Sequence, residues 1–235
     1  MIPLHDDNPT QSTPILTIAL ITICVLVYFF QAALGPRGGE TIIYSLGVIP
    51  AVLLDKVELS RDLVLVPAEL TIFTSMFLHG GFLHLAGNML YLWIFGNNIE
   101  DALGKVRFLI FYFLCGIVAA FGQIMQDPDS TIPMVGASGA ISGVLGAYLL
   151  LFPHARVLVL VPMGFFMQMM KIPAGLVLGL WFVLQLVSSA LTSSAGGGVA
   201  WFAHIGGFVA GMLLILVMKR KNVKLFQPGH GTRRW

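Results

Sequence analysis

The chain has 235 residues, of which 57% are hydrophobic and 10% charged, with a formal net charge of +2 and a mean hydropathy of +0.89. A water-soluble domain is about 25% charged, so an aqueous core cannot hide this much apolar surface, and the bilayer is the natural solvent. The small net charge argues against a nucleic-acid partner, and Cys24 and Cys115, each inside an apolar run, point to neither a disulfide nor a metal site.

Residues 1–13 lack the positive stretch of a signal peptide and are expected to be a cytoplasmic N-terminal segment. A helix needs about 20 apolar residues to cross the hydrocarbon core. Residues 15–34 form the first such run. The long loop after it includes 63–78, whose Pro67 and Glu69 mark a partly embedded loop. Residues 82–99 and 106–125 are the second and third spans. Residues 138–152 are short, glycine-rich and apolar, and are expected to be a short span shielded by its neighbours. Residues 157–170 are apolar but carry Pro162 and Gly164, and their length suits an interfacial or re-entrant segment. Residues 172–191 and 199–218 are the fifth and sixth spans. Residues 219–235 are a basic cytoplasmic tail, expected to be disordered and drawn to lipid. The chain thus divides into 1–13, a six-span domain over 14–218, and 219–235, an all-α membrane bundle.

The positions of the basic residues test that count, because Lys and Arg collect on the cytoplasmic side. Lys105 and Arg107 follow span 2, and Arg156 and Lys171 flank the loop after span 4. Six more follow span 6. Only Arg37, Lys56 and Arg61 of the 13 fall on the other side, all in the first loop. Six spans with both termini cytoplasmic satisfy the rule.

Polar residues inside a bilayer are expensive, and each is a functional candidate by default. His84 and Asn88 lie in span 2, Ser138 begins span 4, and His204 lies in span 6. All three spans run inward from the outer face, and all four residues fall in the first half of their spans. They therefore share one depth. His84 and Asn88, four residues apart, share a helix face. Ser138 opens a helix, where free N–H groups and the positive dipole end suit a developing oxyanion. His204, Gly207 and Gly211 share a face, and Gly139, Gly143 and Gly146 form a matching small-residue face on span 4. Close packing of the two would bring the imidazole to the hydroxyl, as a serine nucleophile requires. Taken singly, each feature reads as packing or interhelical glue. No acidic residue in spans 4 or 6 could orient His204, so the arrangement is a dyad rather than a triad.

Three segments resemble the rhomboid intramembrane serine proteases. They are FLHGGFLHLAGNML (77–90), GASGA (136–140) and AHIGGFVAG (203–211); Glu100, Gly104 and Arg107 also match. The resemblance runs from about Ile43 to Met218. It implies a six-helix rhomboid-like fold and a serine endopeptidase that cuts transmembrane segments of membrane-protein substrates. Ser138 would be the nucleophile and His204 the general base and then acid. His84, Asn88 and the Ser138 N–H would bind the oxyanion, and His79 would be structural or retain water. Span 5 with Trp181 and Phe182, and the glycine-rich loop 188–198, would form the gate and cap. The implied partners are transmembrane substrates and lipids, with no cofactor and no metal. The first loop has no tryptophan, so the Trp-Arg pair of many members is absent. With no long soluble domain or transit segment, the expected site is a prokaryotic plasma membrane. Two rival classes are an inactive rhomboid-like escort, which would lack Ser138 or His204, and a transporter, which would line several spans with ionisable groups at mid-depth.

Overall fold

The computed structural model describes residues 1–164, 166–191 and 199–228. Ile15–Ala33 (α1) is followed by Gly35–Leu46 (α2) and two single turns, Pro50–Leu53 (α3) and Thr71–Thr74 (α4). Phe82–Tyr91 (α5) passes through a π-helical turn, Leu92–Gly96, into Asn97–Leu103 (α6). Lys105–Gln126 (α7), Ser138–Leu151 (α8), Ala174–Leu191 (α9) and Trp201–Met218 (α10) follow. Among these, α1, α7, α9 and α10 are each long and apolar enough to cross a bilayer. Ala68–Phe77 and Phe82–Leu103 pass the same test together, but meet at an 80° bend. Ala68–Phe77, the arm leading into α5, falls within residues 63–78, expected to be a partly embedded loop. The molecule is a mostly helical bundle of apolar, membrane-length helices.

At 14 residues, α8 is only about 21 Å long, short of the roughly 30 Å hydrocarbon core. It survives because it never meets lipid along most of its length: every residue from 139 to 148 is buried. The two small-residue faces meet as their spacing predicts. A Cβ built on Gly211 would collide with the Gly143 carbonyl, and one on Gly207 with the Gly139 carbonyl. Only hydrogen at these positions lets α10 lie directly on the α8 backbone.

The two ends of the bundle differ. At one end the first loop bridges to the segment after α7. Val48 pairs with Met134, the Ala51 N–H donates to the Ser130 carbonyl, and Lys56 meets Asp129 at 2.7 Å. At the other end lie the N-terminus, the α6–α7 turn, the chain between α8 and α9, and the start of the tail. Buried Glu100 there accepts from the Leu16 and Thr17 N–H groups and the Thr17 hydroxyl, capping α1 across 83 residues of sequence.

Two segments carry structure that the sequence did not announce. Residues 157–170, expected only as an interfacial or re-entrant segment, fall in β-strands. Arg156–Met163 (β2) and Phe166–Pro173 (β3) are an antiparallel hairpin, and Ile2–Asp6 (β1) adds to β2 as a third strand. Val157 and Val159 point inward and are fully buried, which suits β-branched side chains at period two. The outward positions are also apolar, which erased the alternation in the sequence. The tail is ordered through residue 228 rather than disordered from 219. Its Arg220 N–H donates to the Ala102 carbonyl, and Phe226 and Gln227 donate to the Leu150 and Leu151 carbonyls at the end of α8. These groups satisfy acceptors that the helix end leaves free.

Candidate active site

Ser138 is the first residue of α8, and His204 lies in the first turn of α10. Both are half-buried. The glycine contacts between α8 and α10 bring them together, with Ser138 Oγ 2.9 Å from His204 Nε2. The other ring nitrogen, Nδ1, lies 2.8 Å from Gln185 Oε1 on α9. The imidazole is flanked by Trp181, with ring centroids 5.9 Å apart, and by Trp201, edge-on at 6.2 Å.

The approach to Ser138 is shaped by Gly136. Its φ of +127° lies where side chains are disfavoured, and its N–H donates to the Ser75 carbonyl. A Cβ there would stand 2.8 Å from the His84 ring and 3.6 Å from Ser138 Oγ. The missing side chain is therefore what admits the His84 imidazole beside the serine. Asn88, one turn along the same face of α5, is buried, and its Nδ2 has no hydrogen-bond partner among the described residues. His84, Asn88, Ser138, Trp181 and His204 all line one cavity of about 740 Å³. The cavity extends to Asp127 and Ser130 after α7, which places its mouth at the end of the bundle away from the N-terminus and the start of the tail. Buried His79 packs edge-on against His84 at 5.2 Å, behind the cavity wall.

The structure thus gathers all four residues that the sequence placed at one depth. Of the expected gate residues, Trp181 lies tilted against His204 and stacks on Phe208, and Phe182 stacks on Phe208 at 4.4 Å. In the expected cap, residues 192–198 lie outside the described residues. Sequence reasoning missed Gln185: it weighed the Asn88 amide beside His84, but Gln185 stands outside all three motifs. The available signal was an amide in an otherwise apolar helix. Cys24 and Cys115 are buried and free.

A family model for the rhomboid domain matches residues 68–221, which contain every residue named in this site. The chain belongs to the rhomboid family. It is 32% identical over 157 residues to the mitochondrial rhomboid protein 1 of Saccharomyces cerevisiae, covering 63% of this chain and 41% of that protein. It is 30% identical over 181 residues to RHOMBOID-like protein 5 of Arabidopsis thaliana, covering 74% and 54%. It is 28% identical over 216 residues to the rhomboid protease AarA of Providencia stuartii, covering 85% and 70%. The chain spans about half the length of the first two. Family membership and the apolar helices together make this rhomboid an integral membrane protein.

Proposed function

We propose that this rhomboid is an intramembrane serine endopeptidase that cleaves transmembrane segments with a Ser138–His204 dyad. The observation that carries the reading is the 2.9 Å contact between Ser138 Oγ and His204 Nε2 inside a cavity that the apolar helices α7, α9 and α10 help to wall. Nε2 takes the hydroxyl proton as Oγ attacks the scissile carbonyl. The oxyanion then meets His84, the Asn88 amide and the Ser138 N–H, the last at the positive end of α8. His204 returns the proton to the leaving amine, and water admitted through the cavity mouth hydrolyses the acyl-enzyme with His204 again as base. An intact substrate helix hides its carbonyls in its own hydrogen bonds, so the scissile stretch must unwind to react.

The orientation that goes with this reading is six spans, with both termini on the cytoplasmic side of a prokaryotic plasma membrane. Of the 11 basic residues among the described residues, eight lie at the end of the bundle that holds the N-terminus and the start of the tail, which supports that orientation. The substrates would be single-span or other membrane proteins arriving laterally through lipid. Cleavage of a single-span model substrate in liposomes tests the reading. Wild type should cut, and Ser138→Ala and His204→Ala should not. Equal cutting by wild type and Ser138→Ala would sink it.

A further inference from the structure

The dyad leaves His204 without a charged group to hold it. We propose that Gln185, on α9, is the positioning residue of this site: it fixes His204 with its proton on Nδ1, so that Nε2 faces Ser138 as a lone pair. The proposal rests on the protease reading above.

Gln185 Oε1 lies 2.8 Å from Nδ1, across the ring from the serine contact. The other end of the amide, Nε2, faces the Trp181 carbonyl one turn back at 3.4 Å. A carbonyl only accepts, so the NH₂ group belongs on that side and the amide oxygen belongs on His204. The amide oxygen also only accepts, so Nδ1 must donate. A neutral imidazole with its proton on Nδ1 has its lone pair on Nε2. Every donor in the series then meets an acceptor: Gln185 NH₂ to Trp181 O, His204 Nδ1–H to Gln185 Oε1, and Ser138 Oγ–H to His204 Nε2. The opposite tautomer would set two lone pairs against each other at Gln185 and leave the serine without a base.

The setting supports a dedicated role. Gln185 is 7% exposed and lies on the buried stripe of α9 with Ala174, Val177 and Leu178, while the outer face carries exposed Leu180, Val183 and Leu184. An amide on the buried stripe of an apolar membrane helix is stable only when partnered. The ring is also confined sideways by Trp181 and Trp201. No other group reaches Nδ1 among the described residues. The titratable side chains around the cavity are His84 and Tyr91 from α5 and Asp127 beyond α7, and α9 carries no charged residue. Since α8 and α10 carry the dyad and α9 carries the acceptor, an α9 that swings outward takes the orienting group with it. The base is then set only when α9 is seated.

The test is cleavage of a single-span substrate in liposomes by wild type, Gln185→Leu and Gln185→Glu across a pH series. Gln185→Leu should lower kcat roughly 10- to 100-fold with little change in KM, as for loss of other outer-shell partners. Gln185→Glu should retain most of the activity and move the acidic limb of the kcat profile to higher pH by about a unit, because a carboxylate stabilises the imidazolium. Wild-type kcat in Gln185→Leu overturns the proposal. So does an inactive Gln185→Glu, or one whose acidic limb stays in place. A wild type that cuts nothing removes the protease reading and this proposal together. Ser138-dependent cutting that Gln185→Leu leaves unchanged removes the proposal alone.

Discussion

Ser138 sits at the first position of α8, where the helix has N–H groups to spare and a neighbouring glycine gives room for a second ring. The cluster around it was legible because polar residues are scarce in these spans, so four at one depth stood out. Gln185 was not legible as part of it: a neutral amide in span 5 reads as glue until its partner is seen. Asn88 offers the sharpest test at this scale, since its Nδ2 donor is buried and unpartnered in the resting site. Asn88→Ala should lower kcat by about 10²–10³-fold, the usual loss for one oxyanion donor, with KM nearly unchanged. Steady-state kinetics on a model substrate checks this, and a pure KM effect would place Asn88 in substrate binding instead.

At the scale of elements, glycine sets where the dyad meets. α8 and α10 approach until their backbones touch, and a Cβ on Gly211 has nowhere to go but the Gly143 carbonyl. Gly211→Val should destabilise the bundle by about 1–3 kcal/mol and part Ser138 from His204, abolishing cleavage. Gly179→Val is the matched control, because a Cβ on Gly179 meets nothing within 4 Å. Thermal unfolding in detergent and the cleavage assay should separate the two variants, and equal behaviour would contradict the packing account. Five of the six expected segments were legible to within two residues from apolar length, the second running four residues further to Leu103, and the α8–α10 contact was legible from glycine spacing. The β2–β3 hairpin was not, because its apolar outer face removes the alternation that marks a strand. Its pairing with β1, 150 residues away, leaves no local trace at all.

For the whole molecule, the N-terminal strand, the hairpin strands and residues 219–228 of the tail gather at the end of the bundle opposite the cavity mouth. Asp6 of β1 is buried there and accepts from the Tyr148 hydroxyl at 2.5 Å, at the far end of the helix that begins with Ser138. Burial pushes the Asp6 carboxyl above its ordinary range, against the opposing pull of the Tyr148 hydroxyl. A raised acid favours the protonated, docked form, so this contribution is full at low pH and is lost as the pH rises through the docked-state value. Amide protection of β1, corrected for intrinsic exchange, should therefore be greater near the ordinary carboxylate value than at neutral pH in wild type, and equal at the two in Asp6→Asn. A wild-type strand equally protected at both would contradict that sign.

The central claim is that His204 makes Ser138 a nucleophile within the membrane. A fluorophosphonate probe reports on this directly, with the site of attachment read by mass spectrometry. A single adduct on Ser138 is expected, absent in Ser138→Ala and strongly reduced in His204→Ala. An adduct on another residue, or full labelling of Ser138 in His204→Ala, would contradict it.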